Sequence, residues 1–399
     1  MPQFEINKRI AKLRKRLAKE DVDAFIALKS VNVEYLSGFD HIRDDSNPHA
    51  VLVTADEIRF LTDGRYVEVA QREAALAASR GVDWRVDDPD DKLVIKDMHE
   101  LWDLKQFDLI ALEDTAPYRI FTSIEKSAQP VKVIPARNWV EEIRSVKDEA
   151  EIERIKAAQA ITDKTFAHLC DFICPGLSEK EIAVELEFTL RRFGADGTSF
   201  DPIVAAGPNG SLVHAVPSDR PVQAGDLLTL DFGASLDGYC SDMTRTVFVG
   251  GTREADAKPT DSTSASEESR VYPSSEQRKV YETVLAAQKA SLEAFAAGVS
   301  SAEVDAAGRE IIKKAGYGDY FVHGTGHGLG LYIHEQPTVG PRNEDGLKAG
   351  EVVTCEPGIY IPGKLGVRIE DMVVIIEDGS FNLTKSPKEL LILNEKESM

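Results

Sequence analysis

Two stretches of this chain share one shape and one anomaly. "DLLTLDFGASLDGYCSDMTRTVFVG" (226–250) and "EVVTCEPGIYIPGKLGVRIEDMVVI" (351–375) each read as strand, turn, strand, dominated by Val, Ile, Leu and Thr. Each also carries two acids inside those core-like strands. Asp231 and Asp242 flank a turn near Leu236–Asp237, and Glu356 and Glu370 flank Gly363. Opposed residues on paired strands lie about 4.5–5.5 Å apart, so each hairpin is expected to pair two carboxylates on one face. Buried carboxylates without counter-charge are costly. The fold must therefore bring positive charge to both hairpins.

Arg245 and Arg368 lie close to these acids in sequence. Divalent ions balance the charge better, because two of them match four carboxylates. A histidine would add a neutral nitrogen donor. An oxygen-rich donor set with one imidazole suits Mn2+, Co2+, Fe2+ or Zn2+ over thiolate-selective ions. Shared carboxylates would hold two such ions about 3.5–4 Å apart, the spacing of hydrolytic two-metal sites.

The histidine is sought in "VHGTGHGLGLYIHE" (322–335), which holds His323, His327 and His334 of the chain's eight histidines. Its alternating glycines match neither GxGxxG nor GxxxxGK[ST], which excludes a dinucleotide fingerprint and a P-loop. Glycine between histidines lets the backbone approach a ligand or another strand closely.

Helical spacing appears at 149–173, 178–193, 276–296 and 301–315. Each hairpin thus follows a pair of helices, an architectural duplication. Ser178 followed by Glu181 reads as a capping box. Upstream, "VDAFIAL" (22–28), "AVLVT" (50–54) and "EIRFLTD" (57–63) read as strands, with a helix through "RYVEVAQREAALAAS". This defines an α/β domain over 1–137, a connecting segment over 135–148 and a second, α+β domain over 145–399. Two domains also suit a length of 399 residues. The stretch 251–270 is rich in Ser, Thr, Asp and Glu with almost no apolar residues, and is expected to be a disordered loop.

The net charge of -21, from 47 basic and 68 acidic residues, disfavours nucleic acid and anionic membrane surfaces as partners. No apolar run reaches the roughly 18–20 residues of a membrane helix. The charged N-terminus lacks an apolar signal core, which implies a cytoplasmic protein. The four cysteines form no CxxC pair. Cys240, two residues before Asp242, reads as a small core filler.

The ordered motifs "LDFGA…SDMTRT…HGTGHGLGLYIHE…TCEPGIY…GVRIEDMVVI" resemble the metallopeptidase M24 family, and "NVEYLSGF" (32–39) with "TDGRYVEVAQREA" (62–74) resembles its creatinase-type N-terminal domain. The resemblance spans nearly the whole chain. It implies a pita-bread catalytic domain behind a creatinase-like α/β domain, and hydrolysis of the bond preceding proline by an Xaa-Pro aminopeptidase or Xaa-Pro dipeptidase (prolidase), with a lean to the aminopeptidase P type. It implies that Asp231, Asp242, His327, Glu356 and Glu370 hold two divalent ions per chain, Mn2+ with Co2+ or Zn2+ as alternatives. Asp242 and Glu370 would bridge the ions, and Glu356 would also shuttle a proton. His214 and His334 would bind substrate and steady the tetrahedral intermediate. His323 would line the proline pocket, with Tyr360 and Arg368 as supporting pocket residues. The resemblance further implies a homodimer acting on proline-containing peptides. Two other activities occur on this layout: a metal-free amidinohydrolase of the creatinase kind, which lacks the full ligand set, and a non-catalytic binding protein.

Overall fold

The computed structural model describes residues 3–39, 49–79, 81–87, 103–251 and 270–393. The chain divides into two compact units, 1–144 and 145–399. Among the described residues no helix is long and apolar enough to cross a membrane.

The first unit is built on a mixed sheet of β1 (Ala24–Ala27), β2 (Ala50–Thr54), β3 (Ile58–Leu61), β4 (Arg85–Asp87), β5 (Leu109–Glu113) and β6 (Lys132–Ala136), in the order β4-β3-β2-β1-β5-β6. The strands read from the sequence are present: 50–54 is β2 without change, and the readings 22–28 and 57–63 shorten to β1 and β3. β1 pairs parallel with β5 and antiparallel with β2. β1 is buried along its length, which explains its unbroken apolar run. Helix Gln3–Glu20 packs through Ile6, Ile10, Leu13 and Leu17, all at most 3% exposed. Such burial is worth about 1.5–3 kcal/mol per large apolar side chain.

The connecting segment expected over 135–148 is mostly structured and lies largely in this unit. It ends β6 and continues into helix Trp139–Ser145. Trp139 stacks on Phe25 at 5.9 Å, and Arg144 donates to Asn32 Oδ1 at 2.6 Å. Three of the helix's seven residues are charged, so the segment resembles a linker in composition. The apolar anchors Trp139 and Val140 hold it against the sheet.

The second unit repeats one plan. Helices Glu149–Phe172 and Glu179–Arg192 precede the first hairpin, and helices Ser275–Ala294 and Ser301–Lys314 precede the second. All four open with a capping box: Asp148/Glu151, Ser178/Glu181, Ser274/Gln277 and Ser300/Glu303. Each satisfies two orphan N–H groups at a helix start.

The strands here are β7 (Gly197–Thr198), β8 (Ile203–Ala206), β9 (Leu227–Phe232), β10 (Ala234–Leu236), β11 (Tyr239–Cys240), β12 (Met243–Val249), β13 (Gly326–Gly328), β14 (Glu335–Val339), β15 (Val352–Cys355), β16 (Gly358–Ile361), β17 (Leu365–Arg368), β18 (Asp371–Ile376), β19 (Gly379–Asn382) and β20 (Ile392–Leu393). The first helix pair packs on β8, β9 and β12 through Phe166, Leu186, Leu190, Leu228 and Val247. The second pair packs on the other hairpin through Val284, Ile312, Val304, Val353 and Val367.

Each hairpin changes sheet at its acids. β9 and β12 belong to the sheet β20-β12-β9-β8, whereas β10 and β11 join β7. β15 and β18 belong to β14-β13-β15-β18-β19, whereas β16 and β17 stand as a pair. In the second hairpin one register runs through both ladders, with Cys355 opposite Asp371 and Gly358 opposite Arg368, so Glu356 falls opposite Glu370 as expected. The first hairpin differs from expectation. Asp231 faces Thr244, and the register places Asp242 opposite Gly233. The turn sits at Asp237–Gly238, both with positive φ, one residue later than the Leu236–Asp237 reading. Asp231 and Asp242 are thus diagonal neighbours on one face rather than direct partners.

The expected disordered loop over 251–270 lies almost wholly outside the described residues.

Candidate active site

At each break in the hairpins the backbone changes partner. The Glu370 N–H donates to Thr244 O at 3.1 Å, and the Glu356 N–H to Thr325 O at 2.7 Å. The first bond ties the hairpins together, and the second ties the second hairpin to the histidine-rich segment. That segment forms β13, between β14 and β15. Its glycines are there for close approach: a Cβ on Gly326 would lie 2.0 Å from Thr354 O. Gly233 has the same role in the first hairpin, where a Cβ would fall 1.7 Å from Ser241 O.

Asp231, Asp242, Glu356 and Glu370 line one cavity with His327. Donor atoms of Asp242, His327 and Glu370 all lie within 4.8 Å of one another. His327 Nε2 is 3.5 Å from both Asp242 Oδ2 and Glu356 Oε1. Its Nδ1 lies 3.0 Å from Gly328 O. A carbonyl only accepts, so Nδ1 carries the proton and Nε2 presents a lone pair to the acids. Burial also pushes the His327 pKa down, which favours the neutral ring.

The acids are under electrostatic load. Burial, with Asp231 and Glu356 nearby, holds the Asp242 carboxyl well above the usual carboxylate range. Burial, with Asp242 and Glu356, does the same to Glu370. Burial raises Glu356 as well. Asp231 Oδ1 and Glu370 Oε1 are buried and have no hydrogen-bond partner. Orphaned carboxylate oxygens beside an imidazole lone pair are what a divalent cation completes. The residues present therefore fit a metal centre of hard oxygen donors with one nitrogen.

Among the described residues Arg368 is the guanidinium that lines this cavity. It donates through Nη2 to Asp231, through Nη1 to Tyr360 Oη at 2.7 Å and through Nε to Thr244 Oγ1 at 2.9 Å. Thr244 Oγ1 in turn donates to Glu370 Oε2 at 2.7 Å. Arg368 thus orients one acid of each hairpin, directly and through Thr244. Sequence reasoning missed Thr244. The available signal was its position two residues after Asp242, on the same strand face. Arg245, the other basic neighbour, points away from the acids' free oxygens. It pairs with Asp371 at 2.8 Å and donates to the Thr244 and Glu370 carbonyls.

The three remaining histidines divide into two kinds. His323 has both ring nitrogens engaged, Nδ1 donating to Gly324 O at 2.7 Å and Nε2 accepting from Tyr360 Oη at 2.9 Å. It forms a fixed wall with no free N–H. His214 and His334 are exposed rings at the same cavity, and the described residues give them no hydrogen-bond partner. The His334 ring lies 4.5 Å from that of His327. Burial and the neighbouring His327 and His214 lower its pKa.

These groups open into a cavity of about 560 Å3, within the range of small-ligand sites. It has an apolar side formed by Phe200, Ile203, Val213, Val216 and Ile333, none of which sequence reasoning singled out. Val213, Val216 and Ile333 stand close to His214 and His334 in sequence, but an isolated apolar residue near a histidine has the sequence pattern of any strand or loop. Cys240 is buried, and its N–H donates to Gly330 O at 2.8 Å; the cavity walls do not include it.

An acid-lined pocket with an imidazole donor, two unpaired histidine rings and an apolar side defines a metallohydrolase class of site. The chain belongs to metallopeptidase family M24, whose model matches residues 153–377, while the creatinase/prolidase N-terminal domain matches residues 9–146. It is 34% identical to an Xaa-Pro dipeptidase of Pyrococcus furiosus, over 97% of this chain and all of that protein. Its structure is similar to an Xaa-Pro dipeptidase from Bacillus anthracis, with 36% identity, TM-score 0.84 and 97% and 100% coverage of the two chains. It is likewise similar to an X-Pro aminopeptidase from Thermotoga maritima, with 34% identity, TM-score 0.81 and 96% and 99% coverage. The second unit has the pita-bread architecture and the first the creatinase-type α/β fold.

Proposed function

We propose that this chain is a di-metal exopeptidase that hydrolyses the peptide bond preceding proline. The observation that carries the reading is the grouping of Asp242, His327 and Glu370, with Asp231 and Glu356 lining the same cavity and orphaned oxygens on Asp231 and Glu370. In it, Asp231, Asp242, His327, Glu356 and Glu370 hold two divalent ions. Asp242 and Glu370, whose donor atoms group tightly with His327, would serve both ions. Mn2+ is the proposed metal because the donor set is oxygen-rich. Bound there, two divalent ions balance four carboxylates and bring a water's pKa toward neutrality.

The chain's own groups supply the rest. Glu356 stands beside His327, on the cavity wall. It accepts the proton of the attacking water and returns it to the proline nitrogen as the bond breaks. That return is essential, because the nitrogen of a tertiary amide has no proton of its own. His214 and His334 donate to the substrate carbonyl oxygen as it gains charge. The lowered pKa of His334 keeps it neutral near pH 7, with one N–H to give. His323 and Tyr360 form a fixed wall for the proline ring. Arg368 holds Asp231 in place.

Relatives named dipeptidase and aminopeptidase occur at similar identity, so the reading covers both. The complete donor set speaks against a metal-free amidinohydrolase and against a binding protein without catalysis. We further infer a homodimeric cytoplasmic enzyme acting on free peptides. Assay of Xaa-Pro and Xaa-Pro-Yaa peptides with and without Mn2+ tests the reading. Metal-dependent cleavage before proline is expected, and tripeptide turnover selects the aminopeptidase. Absence of cleavage in metal-loaded protein would refute the reading.

A further inference from the structure

His323 is fixed from behind by an ion pair on helix Ser301–Lys314. Asp305 and Arg309 lie one turn apart and meet in a bidentate fork, Nε to Oδ2 at 2.6 Å and Nη2 to Oδ1 at 2.9 Å. Surface pairs at this spacing contribute little. This one differs because Asp305 is only 1% exposed and both partners reach a second segment.

Arg309 Nη1 donates to Phe321 O at 3.0 Å, and Nη2 donates to His323 O at 2.6 Å. Its guanidinium lies 4.0 Å over the Phe321 ring, whose edge-on partner at 5.1 Å is the His323 imidazole. Asp305 Oδ1 accepts from Thr325 N at 3.1 Å and from Thr325 Oγ1 at 2.9 Å. Main chain on both sides of Gly324 is therefore gripped. The grip fixes the backbone that carries His323 and sets the Gly324 carbonyl that receives its Nδ1 proton. Through Thr325 O it also reaches the Glu356 N–H.

We propose that Asp305 and Arg309 are positioning residues for the peptidase site, acting through His323. They hold its ring in the Nδ1-protonated tautomer, so that Nε2 takes the Tyr360 hydroxyl and the wall for the proline ring stays fixed. This rests on the Xaa-Pro reading for its kinetic consequence and on geometry alone for its structural one. A planar fork cannot be replaced by lysine, which offers one compact donor head.

The test is Arg309→Lys and Asp305→Asn in the full-length, zinc-loaded protein. Nitrogen-15 histidine NMR, with the His323 signal assigned by His323→Gln, reads the tautomer without any turnover. The wild type should be protonated at Nδ1, and Arg309→Lys should show mixed tautomers with metal content unchanged. On Xaa-Pro peptides, assayed in the Mn2+-loaded proteins, KM should rise about tenfold while kcat changes less than about threefold. A wild-type His323 protonated at Nε2 would overturn the proposal with no variant needed. So would an unchanged His323 signal and KM in folded Arg309→Lys, or an activity loss that only tracks lost metal or lost folded protein. If Arg309→Lys does not fold, Asp305→Asn, which keeps the side-chain shape, carries the same comparison. A Mn2+-loaded wild type that cleaves no Xaa-Pro peptide refutes the peptidase reading, and the NMR result on the zinc-loaded protein still decides the grip on His323.

Discussion

At the residue scale, the site separates buried acids from the exposed rings of His214 and His334. His334 has no protein hydrogen-bond partner among the described residues and lies beside His327 rather than among the acids. His334→Ala should lower kcat by about 100-fold, as loss of one donor to a developing oxyanion does, while elemental analysis finds the metal retained. Loss of metal would show that the ring belongs to the donor set. Thr244 joins Arg368 Nε to Glu370 Oε2. Thr244→Val keeps the shape and removes both bonds. Metal affinity should fall about 10–100-fold, as for other groups that orient a ligand, which titration against a competing chelator would read. Unchanged affinity would mean that Glu370 is held well enough by the Arg245 bond to its carbonyl. Thr244 shows a limit of sequence reading: a threonine in a strand looks like a β-former, and only the register reveals what it bridges.

At the element scale, the interrupted hairpin is the device that makes the site. The register of the second hairpin sets Glu356 opposite Glu370, two acids that repel if both are ionised. The ladder between those strands is open at this pair, and the Glu370 and Glu356 N–H groups go to Thr244 and Thr325 instead. Gly326 is essential to that packing. Gly326→Ala would force β13 away from Thr354 O, and stability should fall by 1–3 kcal/mol, about the cost of overpacking, seen as a lower melting temperature. An unchanged melting temperature would mean that β13 shifts freely. Much of this scale was legible in the sequence. The four helices of the second unit appear within about two residues of their periodic patterns, since amphipathic spacing and Ser/Asp caps are local signals. The second hairpin's symmetry about Gly363 was also legible. The first was misread by one residue. Asp237–Gly238 supplies the positive-φ pair that a two-residue turn requires, and that signal was stronger than symmetry between acids. The Asp305–Arg309 fork was not legible, because an i,i+4 acid–base pair has the same sequence pattern on any solvated helix.

For the whole molecule, the acids link stability to both pH and metal. In the metal-free protein the carboxyls of Asp242, Glu356 and Glu370 have raised pKa values, whereas the unfolded chain returns them to about 4. The folded state then binds more protons than the unfolded state. Stability from these groups is full below the unfolded pKa and is lost as pH rises through the raised folded values. Metal binding reverses the sign, because it favours the ionised carboxylates. The melting temperature in chelator should therefore fall relative to the Mn2+-loaded protein from pH 5 to pH 8, so the gap widens with pH. A gap independent of pH would mean that the acids are already ionised without metal. At this scale the two-unit layout followed from length and from the change of hydrophobic pattern. The structural division falls after Arg144, so helix Trp139–Ser145, which the sequence left between its two domains, groups largely with the first unit; it has the charge of a linker and the anchors of a core element.

The central claim is that five side chains hold two divalent ions, and the most direct measurement is elemental analysis of the Mn2+-loaded protein beside its Asp242→Ala variant. The wild type should retain about two ions per chain after gel filtration. The variant should retain the fold by circular dichroism but lose both the metal and Xaa-Pro cleavage. A wild type without stoichiometric metal, or an Asp242→Ala variant with full metal and full activity, would contradict the account.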